Sequence, residues 1–222
     1  MAGKKSAANR EKEGAREKKE EKTERIKMKL FDKWDSEVEV KDPGLKRYIS
    51  LSPKLLPKSC GTYAKKRFYK SKAHIVERLA THLMQAGHSG RRHRLTSGHM
   101  GGAFQKALKI VERAFEIIEQ KTKKNPVEVF VRALEHAAPC EEVVGYQVGG
   151  IIARLPVVIS PQRRIDKALR AFAQGSYREA FNKKIKIHEA LANELMLAAK
   201  GDNKSYAVRE KERLEQEAAG AR

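Results

Sequence analysis

Only one block of this chain is built of strand-favouring residues, and this narrows the possible folds more than any other feature. Between Glu141 and Ile159 stand Val143, Val144, Tyr146, Val148, Ile151, Ile152, Val157 and Val158. β-Branched and aromatic residues of this kind fit a pleated surface. Gly149-Gly150 sits between the halves of the block, where a tight hairpin turn requires residues that accept positive φ. A dinucleotide-binding sheet needs strands alternating with helices, so a single hairpin excludes it. Two strands alone are marginal in water. The pair must therefore lie against helices or project as an arm that meets a partner.

Nearly everything else after His74 has helical spacing. From His74 to Ala86, Ile75, Leu79 and Leu83 recur every four residues and share a face, and Gly87 stops the run. Residues 87–99 form a loop rich in glycine and cations. From Met100 to Glu119, Phe104, Leu108, Val111, Phe115 and Ile118 make a core-facing stripe. Asn125-Pro126-Val127-Glu128 is a helix start. Asn125 caps free N–H groups, Pro126 suits the first turn, and Glu128 can reach back to the cap. Phe130, Val131 and Leu134 face inward, and Pro139 ends that helix. Ser160-Pro161 opens another helix with Ile165, Leu169 and Phe172 inward, and Gly175 is expected to end it. Lys183 to Lys200 carries Ile187, Leu191 and Leu195, with Gly201 in the stop position. Asn203 to Ala218 is a last, mostly polar helix. The expected class is mainly α with one β-hairpin.

The chain before His74 is different. Residues 1–25 hold nine Lys/Arg, six Glu and no large apolar residue after Met1. Such a segment buries too little to offset its ordering entropy and reads as a flexible charged tail. Residues 26–73 read as an extended N-terminal segment. Ile26, Met28, Leu30, Phe31 and Trp34 can dock on a core, Asp42-Pro43-Gly44 is a turn signal, and Pro53 and Pro57 keep the backbone extended. Residues 74–222 form the helical domain, with the hairpin at 141–159.

Charge constrains the partner. The 222 residues carry 48 Lys and Arg against 28 Asp and Glu, a formal charge of +20. The commonest partner for such an excess is nucleic acid. No run of about 18 apolar residues offers a membrane span, and no helix has the apolar face that interfacial anchoring needs. The first 25 residues lack the apolar region of a signal peptide. Cys60 and Cys140 lack paired spacing and read as two free thiols in a cytoplasmic protein.

Features for catalysis are missing. There is no GxxxxGK[ST] phosphate loop, and the carboxylates are scattered among helix-surface lysines, as solvated i,i+4 pairs are. His74, His82, His88, His93 and His99 fall close together, but a zinc site wants four ligands and usually cysteine pairs, and no CxxC occurs. These histidines read as surface and loop groups touching phosphate or water. No metal or cofactor is expected.

What remains is positive charge in clusters. Lys65, Lys66, Arg67, Lys70 and Lys72 interleave with Tyr63, Phe68 and Tyr69. Cations hold phosphates while aromatic faces stack on exposed bases. Arg91, Arg92 and Arg94 lie in the glycine-rich loop. Arg163, Arg164, Lys167, Arg170 and Arg178 belong to the helix after the hairpin, where positions 163, 167 and 170 share the face opposite Ile165, Leu169 and Phe172. Lys183, Lys184 and Lys186 follow. A helix-turn-helix reader of duplex DNA would concentrate its cations on one recognition helix. Distributed cations fit the shape and junction contacts of RNA binding better. A chromatin or transcription protein that binds duplex DNA is the alternative, and an RNA-modifying enzyme with an unfamiliar site is another.

Several stretches together resemble a known family. Asn125-Pro-Val-Glu-Val-Phe-Val-Arg-Ala-Leu-Glu135, Val157-Val-Ile-Ser-Pro-Gln-Arg-Arg164, Leu191-Ala-Asn-Glu-Leu195 and Ala198-Ala-Lys-Gly-Asp-Asn-Lys-Ser-Tyr-Ala-Val-Arg209, in that order, are similar to the seventh protein of the small ribosomal subunit. Asp42-Pro-Gly-Leu-Lys-Arg-Tyr-Ile49 and Ala114-Phe-Glu-Ile-Ile118 resemble its archaeal and eukaryotic branch. The resemblance runs from about residue 38 to the end. It implies a six-helix domain with a protruding β-hairpin, and binding to ribosomal RNA of the small-subunit head (the 3′ major domain), whose assembly it starts. It implies neighbouring ribosomal proteins as partners, and the exit-site transfer RNA and messenger RNA nearby. By position it places Lys65, Lys66, Arg67, Lys70 and Lys72 in the basic segment that contacts RNA. It places Gly149, Gly150 and Arg154 in the contacting hairpin, followed by Arg163 and Arg164. Arg154 is the only cation between Glu141 and Ile159, fewer than the resemblance leads one to expect.

Overall fold

Capping chemistry sets where the helices begin. The computed structural model describes residues 28–85 and 100–222. Among them seven helices occur: α1 (Pro43–Lys46), α2 (Ile75–Leu83), α3 (Phe104–Thr122), α4 (Pro126–Ala137), α5 (Pro161–Ala180), α6 (Ile187–Lys200) and α7 (Tyr206–Ala219). The turn signal at Asp42-Pro43-Gly44 is the start of α1, with the Asp42 carboxylate accepting from the Gly44 N–H. Asn125 caps α4 by accepting from the Val127 N–H at 3.0 Å, while its amide donates to the Asp35 carbonyl at 2.9 Å. Glu128 does not complete that cap; it pairs with Arg132 one turn on. The reciprocal contact occurs instead at α6, where Glu189 accepts from the Lys186 N–H at 3.3 Å. Lys183 to Lys186 therefore precede that helix rather than open it. The first stripe begins its helix at Phe104, not Met100, and the last begins at Tyr206, capped by Ser205.

Gly175 does not stop α5, which runs on to Ala180. Its missing side chain serves packing. A Cβ there would lie 2.9 Å from the Cβ of Tyr206 and 3.2 Å from the Glu194 carboxylate. Glu194 is buried and accepts from the Ser205 hydroxyl at 2.7 Å and the Ala207 N–H at 2.9 Å. Glycine lets α5, α6 and α7 converge on that junction. Gly201 does end α6, in the left-handed conformation at φ 71°.

One core joins these helices to the segment before them. Trp34, Phe115, Phe130 and Phe172 form a chain of rings at 5.6, 5.9 and 6.5 Å between centroids. Leu30, Leu45 and Ile49 are buried in the same core, whereas Met28 is exposed. The Trp34 indole donates to Glu119 at 2.9 Å, and Glu135 accepts from the Lys41 and Asp42 N–H groups. These contacts tie the N-terminal segment to α3 and α4.

Strands β1 (Glu141–Val148) and β2 (Ile151–Val158) pair antiparallel, Glu141 opposite Val158 and Val148 opposite Ile151. Gly149 and Gly150 both have positive φ, as a type I′ turn needs. Ile159 is buried at the base, while Val144, Tyr146, Ile151, Ile152, Leu155 and Val158 are exposed. The hairpin projects. The expected tail 1–25 and the loop holding Arg91, Arg92, Arg94, His88, His93 and His99 lie outside the described residues. No helix of the described residues is long and apolar enough to cross a membrane.

Candidate nucleic-acid interface

Two cation clusters about a hundred positions apart in sequence meet across one cleft. Arg67 and Lys70 stand on one side, and Arg163, Lys167 and Arg170 on the other, where Ser160, Gln162 and Gln174 of the same helix and its cap also line it. The cleft measures about 510 Å³. The first side is built from two short 3-10 turns, Thr62–Ala64 and Tyr69–Lys72, which hold Lys65, Lys66, Arg67, Lys70 and Lys72 at the surface. The second side is the outer face of α5, whose inner face buries Ile165, Leu169 and Phe172.

Asp166 is the carboxylate that joins the two sides. Its Oδ1 lies 2.9 Å from Lys70 Nζ, 3.0 Å from Arg78 Nη2 and 3.6 Å from His82 Nε2. Burial opposes its charge, but His82, Lys70 and Arg78 together hold the carboxyl well below the usual carboxylate range. Arg78 is itself 2% exposed and also donates to the Tyr48 carbonyl at 3.0 Å. One acidic group thus anchors three donors from α2 and the basic segment onto α5.

Glu142 plays a similar part at the hairpin base. It accepts from Arg163 through both oxygens, at 2.7 and 3.1 Å, and from Lys167 at 2.5 Å. Burial raises its pKa, but these two cations overcome that and lower it on balance. Arg163 and Lys167 are therefore held in place yet partly neutralised. Arg170 is exposed on the same face.

The remaining expected site residues fall elsewhere. Arg164 points inward: it donates to the Pro139 carbonyl at 3.1 Å and to Asp42 at 3.1 Å, and so ties the hairpin base to α1. Arg178 stacks its guanidinium over Tyr206 at 4.7 Å. Lys183, Lys184 and Lys186 are exposed beyond the far end of α5, about 30 Å from its start at helical rise. Arg154, Gly149 and Gly150 sit out on the hairpin. His74 is not a surface group; it is fully buried, and its Nδ1 caps α2 by accepting from the Val76 N–H at 3.2 Å. Among the described residues no group of three His, Cys, Asp or Glu is placed to hold a metal ion.

Sequence reasoning missed Asp166 and Glu142 as organisers. The signal for Asp166 was available, since it is the one carboxylate between Gln162 and Arg170. Its partners on α2 and the basic segment were not.

An arrangement of this kind can neutralise phosphates, and phosphate contacts fix register and orientation. Comparison with known proteins bears on which polyanion it is. The family model described as "Ribosomal protein S7p/S5e" matches residues 45–222. The small ribosomal subunit protein uS7 of Nanoarchaeum equitans is 48% identical over 200 residues, which span 89% of this chain and all of that protein.

Proposed function

Because this chain belongs to the ribosomal protein S7p/S5e family, it is a structural constituent of the small ribosomal subunit, and we propose that it works there by binding ribosomal RNA of the head. Its work is binding, with no chemical step. Cations of the cleft neutralise phosphates, release counterions and fix one junction geometry, around which the head begins to assemble. The observation that carries this reading is the meeting of Arg67 and Lys70 with Arg163, Lys167 and Arg170 across one cleft. Cations spread over separate elements suit the shape of folded RNA rather than the groove of a straight duplex. The projecting hairpin and the lysines beyond α5 extend the contact outward, with the exit-site transfer RNA and the messenger RNA in reach.

Chemical footprinting on RNA of the 3′ major domain tests it, with duplex DNA in excess as competitor. Protection of a junction that survives the DNA is expected. Loss of protection to the duplex DNA would mean that charge alone drives binding, and the duplex-DNA reading would replace this one.

A further inference from the structure

Phe68 stands in a conformation that bulky residues seldom adopt. Its φ is 64°, in the left-handed region, and it is 63% exposed. The turn that follows fixes it there: its carbonyl accepts from the Ser71 N–H at 3.1 Å and the Ser71 hydroxyl at 2.7 Å. The neighbouring aromatics carry lysines over their rings. Lys54 lies over Tyr63 at 5.7 Å, and Lys66 and Lys72 lie over Tyr69 at 5.7 and 4.2 Å. Phe68 meets neither a ring nor a cation among the described residues.

Phe68 also lines two cavities. One is the basic cleft. The other, about 660 Å³, is mainly apolar, with Tyr63, Ala73, Met84 and Phe104 in its walls and Lys58 and Lys66 beside them. Glu77 also lines this cavity. Its Oε1 accepts from the Ser59 N–H and hydroxyl, but its Oε2 is buried without a hydrogen-bond partner.

Resting on the RNA-binding reading above, we propose that Phe68 and the apolar cavity beside it hold one unpaired nucleobase of the RNA. The strand's phosphates lie along Arg67 and Arg170 in the cleft. One nucleotide turns out of the stack at the Phe68 ridge and lays its face on the ring. Every base has such a face. Phe68 is the stacking platform of the segment, and Tyr63 and Tyr69 are supports for its lysines.

The test uses the full chain and two RNA duplexes, one fully paired and one identical but for a single unpaired 2-aminopurine. The intact protein is expected to bind the second about tenfold more tightly, within the range of base–aromatic stacking, and to quench its fluorescence. Phe68→Ala should lose that preference while keeping its affinity for the paired duplex; Phe68→Trp should keep both. Phe68→Gly relieves the backbone, so its melting temperature should hold or rise as the preference disappears. A fall in both would make Phe68 a structural residue and overturn the assignment. Equal binding of the two duplexes by the intact protein, or a preference that persists in Phe68→Ala, would overturn it too and leave the RNA-binding reading standing. Failure to bind either duplex would overturn the assignment as well, while the RNA-binding reading stands or falls by the footprinting on head RNA.

Discussion

His74 shows how much one buried atom can decide. The residue caps α2 through a ring nitrogen that accepts a hydrogen bond, so only the neutral ring fits. Burial, with Lys54 nearby adding to it, pulls its pKa down from 6.5 to about 4. The unfolded chain therefore takes up this proton first as pH falls. Stability contributed by His74 is complete above 6.5 and is lost between 6.5 and about 4, by up to about 3 kcal/mol. Urea unfolding across that window measures it. His74→Asn, which retains a capping oxygen, should flatten the profile there. The sequence placed His74 at the start of a helix, but local spacing carries no information on burial, so the residue read as a surface group. Asp166 and Arg164 are similar cases. Each looked like part of a charged helix face, and each is defined by partners far along the chain.

Elements were more legible than their ends. The stripe from Leu108 to Ile118 is a core face because its repeat matches the helix, and the hairpin follows from one β-favouring block around two glycines. Asn125 and Gly201 were readable because a cap needs only its own neighbours. Gly175 was not. Its place inside α5 depends on Tyr206 and Glu194, about twenty to thirty positions later, and no window along α5 contains them. Gly175→Ala raises helix propensity, which alone would stabilise α5. The overlap with Tyr206 and Glu194 should win, with a net loss of about 1–3 kcal/mol. Thermal or urea unfolding gives the sign directly. A gain would show that α7 gives way easily, and that packing is not why α5 carries a glycine.

Across the molecule as a whole, an excess of 20 positive charges pointed to a polyanion but not to a surface. The cations were legible as clusters; their convergence was not. Arg67 and Arg170 line the same cleft only because the segment before α2 folds back on α5 and is held there by Asp166. That fold-back is a long-range event, and the sequence shows the lone acid without its partners. If RNA lies in this cleft, the salt dependence of binding must report it. The chain carrying Arg67→Ala, Arg163→Ala and Arg170→Ala should be compared with the unaltered chain on small-subunit head RNA. Each phosphate that is no longer neutralised removes roughly 0.7 to 0.9 from the log–log slope. Glu142 already takes up part of the Arg163 charge, so the slope should become shallower by about 2, with the fold intact because all three side chains are exposed and Lys167 still holds Glu142. An unchanged slope would mean that the RNA lies elsewhere on the molecule.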